Sequence, residues 1–125
     1  MKAMLSIHPE YVARILAGEK TYEYRKRAFK RPDVDAILIY CTSPRSAVVG
    51  EAAVERVLEA SPQELWDTTG KHGGIDRESF MEYFKDTSTA YAIKLGEVMA
   101  FDTPKPIEDY APAVKCAPQS FVYVG

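Results

Sequence analysis

The apolar and polar positions along the 125 residues change period several times, and each change marks an element. "AMLSI" is a short apolar run that predicts a strand. "HPEYVARILAG" spaces Tyr11, Val12, Ile15 and Leu16 as a helical stripe. Pro9 suits the first turn of that helix, where a missing N–H costs nothing, and Gly18 suits its close. "KTYEYRKR" alternates as a strand, with Tyr22 and Tyr24 on one face and Glu23, Arg25 and Arg27 on the other. "PDV" turns the chain into "DAILIYCT", a strand rich in β-formers. After the turn "SPRS", helix and strand compete in "AVVGEAAVERVLEA". Its Val-rich start favours one long strand, with Gly50 at a bulge or a close approach.

"SPQELWDTT" predicts a helix with a capping box from Ser61 to Glu64 and Pro62 at its first position. "KHGG" breaks it, and "DRESFMEYFKD" predicts a second helix with Phe80, Tyr83 and Phe84 on one face. "TAYAIKLGEVMAFD" predicts a strand pair or one long bent strand. "TPKPIEDYAP" reads as loop and "QSFVYV" as the final strand. Strands dominate, so the fold class is α+β: a small mixed β-barrel of five to six strands with about three flanking helices. Closing such a sheet removes its edges.

Composition narrows the class without naming it. Apolar residues make up 46% and charged residues 27%, as in ordinary globular domains. The length suits a single domain spanning residues 1–125. No run is long and apolar enough to span a bilayer, and the N-terminus lacks the apolar stretch of a secretory signal, so the expected compartment is the cytoplasm. Cys41 and Cys116 stand far apart, and His8 and His72 are the only histidines. No metal site and no cofactor are expected from that ligand set, and free buried thiols are the simpler reading.

Charge changes the picture more. The net charge is −2, yet Lys20 to Arg31 holds six cations and one acid, Glu23. Such clustering fits an anion-binding face, or an edge strand kept charged against aggregation. The stretch "GEKTYEYRKR" carries the pattern G-x-K-x-x-E-x-R at Gly18, Lys20, Glu23 and Arg25. Placed after an early helix, and flanked by "LSIHPEYVARILAGEK", "IYCTSP", "AYAIKL" and "PQSFVYV", it resembles the ASCH domain over nearly the whole chain.

The resemblance implies a stand-alone ASCH domain with a PUA-like pseudo-barrel and a cleft lined by the motif strand. It implies an RNA or nucleotide ligand as partner. Some similar proteins are small hydrolases acting on acylated nucleosides, with a threonine three residues after the motif lysine; here that position is Glu23. Others are linked to RNA cleavage.

The candidate ligand-binding residues are Lys20, Glu23, Arg25, Arg27, Thr42, Ser43, Gln119 and Ser120. Arg25 suits bidentate contact with phosphate or a base edge, and Glu23 suits a base amine or the orientation of Lys20. Thr42, Ser43, Gln119 and Ser120, at strand ends, suit orientation of a polar ligand. If the cleft catalyses, which the sequence leaves open, Lys20 and Glu23 carry the step, with Ser120 as a further candidate. Lys26, Arg27, Lys30 and Arg31 form an expected phosphate-tracking rim. "GKHGGID" lacks the order of a phosphate-binding loop and reads as a flexible connection. Oligomeric state is not legible.

Overall fold

The computed structural model describes residues 1–110 and 117–125. Its elements in chain order are β1 (Lys2–Ile7), α1 (Pro9–Leu16), β2 (Tyr22–Arg25), β3 (Ala36–Cys41), β4 (Ala47–Ala60), α2 (Pro62–Thr69), α3 (Arg77–Tyr83), β5 (Ala90–Lys105) and β6 (Phe121–Val124). Short 3-10 turns at Gly70–His72 and Ile107–Asp109 complete the set. The strands form one mixed sheet in the order β2-β5-β4-β3-β1-β6. Only the β1–β3 pair is parallel. The expected α+β fold, six strands with three helices at its side, is what forms.

The core lies on both faces of the sheet. All six positions of β3 are buried, as a near-continuous apolar strand must be when both faces are covered. Leu5, Ile7, Ile37, Ile39 and Ile93 pack under Val12 and Ile15 of α1. Met4, Leu38, Tyr40 and Val48 pack on the opposite face with Ile107. A third cluster, built on Tyr24, Leu65, Phe80, Phe84 and Ala92, holds α2 and α3 against β2 and β5.

Local chemistry sets the boundaries. Gly18 adopts φ +81°, which a side chain disfavours, and the turn it makes lets Glu19 and Lys20 donate N–H groups to the Arg14 carbonyl. Ser61 accepts from the Glu64 N–H at 3.3 Å, and Asp76 accepts from the Ser79 N–H at 2.7 Å. Gly50 is a close approach, as its position in the Val-rich strand suggests: a Cβ there would lie 2.8 Å from the Met99 carbonyl oxygen. The pairing slips beside it on both sides, at Ile39/Tyr40 of β3 and between Val48 and Gly50 against β5.

Three boundaries differ from the sequence expectation. β2 ends at Arg25, not Arg27, because Arg25 pairs with Tyr91 and β5 begins at Ala90; beyond it there is almost no partner strand. β5 continues through Thr103, Pro104 and Lys105, where a loop was expected, because β4 still offers Val48 opposite Lys105. Tyr83 leaves the apolar face it was expected to share: Phe80 and Phe84 are core, but Tyr83 is 40% exposed. The part of the expected loop from residue 111 on, and Cys116, lie outside the described residues.

Closure of the sheet is partial. Its edges are β2 and β6, and among the described residues no ladder joins them. The Arg25 side chain spans the gap instead. Its guanidinium donates to the Ser6 carbonyl of β1 at 3.2 Å and to the Ser120 carbonyl, just before β6, at 2.6 Å.

Candidate functional site

Alternation along β2 sends Tyr24 and Glu23 in different directions, and both end up buried. Tyr24 packs edge-on against Phe80, with ring centroids 4.8 Å apart, and its hydroxyl shares a 2.7 Å hydrogen bond with Thr69 Oγ1. Glu23 turns toward Arg25. Its Oε2 accepts from Arg25 Nη1 at 3.3 Å, and its Oε1 lies 3.8 Å from Lys20 Nζ. One carboxylate is thus held between two cations, leaving a net positive charge in a buried cluster.

Lys20 is the most constrained member. Its side chain is 2% exposed. The ammonium donates to the Gly73 carbonyl at 2.6 Å and lies 4.8 Å from the ring centroid of Tyr24 and 5.4 Å from that of Tyr11. Burial pulls its pKa below the ordinary lysine range; Glu23 opposes that shift and the charge of Arg14 adds to it.

The stretch expected to be a flexible connection is pinned behind the site by its backbone carbonyls. Three successive carbonyls, those of His72, Gly73 and Gly74, are captured by Thr21 N–H at 2.9 Å, Lys20 Nζ at 2.6 Å and Arg14 Nη1 at 2.6 Å. Side chains cannot enter this turn. A Cβ on Gly73 would overlap the Tyr24 hydroxyl, and one on Gly74, at φ +62°, would lie 2.5 Å from Lys20 Cβ. The pinned turn leads into α3 and so sets the position of Ile75, Ser79 and Tyr83.

Between α3 with the preceding Ile75, the N-terminus of α1 and β2 lies a cavity of about 460 Å³. Lys20, Glu23 and Arg25 line it with Tyr11, Tyr83 and Gln119. Ser6, His8, Glu10, Ile75 and Ser79 add mixed polar and apolar surface. The volume falls within the range of about 300–1,000 Å³ common to small-ligand pockets.

Not all the expected residues meet here. Gln119 joins the three charged residues. Ser120 is tied in through its backbone carbonyl, which Arg25 holds. Arg27 is exposed on the bend beyond β2 and lines no part of the cavity, because the strand has already ended. Thr42 is half-buried; its N–H donates to the Ile7 carbonyl, and its side chain is not among the cavity-lining groups. Ser43 is exposed in the following turn. The guanidinium of Arg25, expected to contact phosphate or a base edge, spends much of its donor capacity on protein carbonyls and Glu23. Arg14, Tyr11, Gly73 and Gly74 escaped the sequence reading as site residues. The adjacent glycines were the available signal; Tyr11 was hidden in an ordinary apolar helix stripe.

Among the described residues no group of His, Cys, Asp and Glu is arranged to hold a metal ion, and no helix is long and apolar enough to cross a membrane.

Known proteins resemble this chain in sequence and fold. The profile of the ASCH domain matches residues 5–101. A Zymomonas mobilis protein described as an ASCH domain-containing ribonuclease is 33% identical over 95 residues. That alignment takes in 75% of this chain and 64% of the relative, just under two thirds of its length. The crystal structure of ASCH from Zymomonas mobilis superposes with a TM-score of 0.88 at 26% identity, covering 99% of this chain and 87% of that one. The N-terminal domain of Staphylothermus marinus McrB, at 14% identity and a TM-score of 0.54, covers 91% of this chain and 81% of that one and shares the fold alone.

Proposed function

The chain belongs to the ASCH domain family, and from that premise we propose that it binds single-stranded RNA, with one nucleotide entering the cavity above Lys20, Glu23 and Arg25. The observation that carries this reading is the desolvated, net-positive cluster at one end of the run of six cations from Lys20 to Arg31. A positive charge shielded from water attracts an anion strongly, because little water competes. The exposed Lys26, Arg27 and Lys30 then serve the flanking phosphates. The ring of Tyr11 and the side chain of Ile75 offer apolar surface to a base, and Glu23 and Gln119 offer it polar partners. The relative's description as a ribonuclease agrees with an RNA ligand.

Fluorescence anisotropy with a labelled RNA 10-mer tests it. Binding should weaken with salt, with a log–log slope of about −0.7 per phosphate neutralised. Replacing Glu23 with Gln, which keeps the shape but unbalances the cluster, should change affinity for RNA. Salt-independent binding, or none with pyrimidine, purine or mixed oligomers, sinks the proposal.

A second reading, RNA cleavage, is favoured by one observation: burial holds the Lys20 amine below its ordinary pKa. In the neutral form the amine keeps an N–H for the Gly73 carbonyl and has a lone pair to accept a proton. It would take the proton of a ribose 2′-hydroxyl, with Glu23 orienting and stabilising the ammonium formed. The 2′-oxygen then forms a bond to the adjacent phosphorus as the P–O5′ bond breaks. A 2′,3′-cyclic phosphate results, and the departing 5′-oxygen takes a proton from water. Ser120 enters this scheme as a contact that Arg25 holds in place. A time course on RNA in the presence of a chelator should show cyclic-phosphate ends with wild type, and none with Lys20→Ala or with 2′-deoxy substrate. Equal cleavage by Lys20→Ala excludes Lys20 as the base.

A further inference from the structure

Tyr83 has no part in the core that the rest of its helix builds. The ring ends α3 at the lip of the cavity and is 40% exposed, whereas its neighbour Phe84 is 2% exposed. Phe84 backs it, with ring centroids 4.8 Å apart at 66°, and is itself locked against Phe80 at 4.9 Å. The ring is therefore backed by the core although it is open. Lys26, the first residue after β2, places its ammonium 5.1 Å from the centre of the Tyr83 ring. Tyr83 thus stands where the cavity ends and the exposed cations begin. Of the other rings beside that run, Phe29 is already engaged edge-on by Phe121 at 5.5 Å, and Tyr123 packs on Phe121 at 5.4 Å with the Arg31 guanidinium 5.6 Å from its centre.

From this placement we infer that Tyr83 is a second nucleotide subsite: a stacking platform for the base next to the one held in the cavity, with Lys26 moving from the ring to the intervening phosphate. The inference rests on the RNA reading of the cavity. Base stacking on an aromatic ring outweighs a cation–π contact at an exposed site, so the exchange is favourable. It is also sequence-tolerant, since every base has a π-face. The subsite therefore adds affinity and register with only a modest preference among bases, purines, with the larger face, gaining somewhat more than pyrimidines.

The test uses the labelled RNA 10-mer and a set carrying one abasic position each. Tyr83→Ala should weaken binding about 5- to 150-fold, the range of one base–aromatic stack, while Tyr83→Phe stays within about twofold of wild type. One abasic position should weaken binding to wild type but not to Tyr83→Ala, since the two changes remove the same contact. Tyr83→Trp gives a second readout: its added indole emission should be quenched on RNA binding beyond any change from Trp66. Tyr83→Ala binding as wild type does, or Tyr83→Phe losing as much as Tyr83→Ala, overturns the platform. If RNA binds and Glu23→Gln alters it while all Tyr83 variants behave alike, the platform alone fails. If no RNA binds wild type, the cavity reading falls and takes the platform with it.

Discussion

Replacing Arg25 with Ala removes the side chain that ties the two free edges of the sheet together. The guanidinium is 13% exposed and Glu23 is 7% exposed, so this ion pair is largely shielded from water. The change leaves the Ser6 and Ser120 carbonyls without that donor and leaves Glu23 with Lys20 at 3.8 Å as its remaining cation. Breaking a buried pair by removing one partner costs about 3–5 kcal/mol, against about 0–1 kcal/mol for an exposed pair. The expected loss is in the upper range, a large share of a stability typically about 5–15 kcal/mol. Arg25→Lys should lie between the two, because an ammonium lacks the planar fork that reaches both carbonyls. Adding Glu23→Gln to Arg25→Ala should recover part of the loss, with a coupling of about 0.5–3 kcal/mol. Urea unfolding of wild type, Arg25→Ala, Arg25→Lys, Glu23→Gln and the double variant measures all of this. A cost below about 1 kcal/mol for Arg25→Ala, with additive effects of the two changes, refutes the reasoning and makes the cluster a solvated edge.

Other expectations follow from the same geometry. Burial holds the Lys20 pKa below the unfolded value of about 10.4, so between the two the unfolded chain binds a proton that the folded chain has released. Stability from this group therefore rises with pH through that window, and Lys20→Met should flatten the rise in denaturation series; parallel curves contradict it. Gly74→Ala, strained at positive φ and crowding Lys20 Cβ, should cost on the order of 1–3 kcal/mol. Gly96→Ala, where a Cβ meets the flexible Glu55 side chain at 3.2 Å, should cost less; the reverse order in thermal melts contradicts the account. Replacing Lys26, Arg27, Lys30 and Arg31 with Ser should shrink the salt slope of RNA binding by about 0.7 for each phosphate no longer neutralised; an unchanged slope removes the rim.

Much of the fold was legible because local signals agreed with global packing. "AILIYC" reads as a strand and is one; the Ser61 cap, the Gly18 close and the Gly50 approach each mark a real constraint. Glu23 and Arg25 share a strand face in the sequence, and the resemblance carried by G-x-K-x-x-E-x-R is what joined Lys20 to them. Arg27 was not separable from them, since alternation continues in the sequence after the partner strand has ended. The roles of Arg14, Gly73 and Gly74 depend on contacts about 50 to 60 positions apart, which no local pattern encodes. Tyr83 has the helical spacing of a core residue, and only the position of α3 at the cavity lip exposes it.

The most direct measurement of the central claim is an NMR titration of the assigned protein with a short single-stranded RNA. The account predicts that the largest amide shifts fall on residues 6–11, 20–26, 73–75 and 83, converging on the cavity from four separate segments. Shifts confined to the opposite face, around Met4, Leu38 and Ile107, or none at saturating RNA, would contradict it.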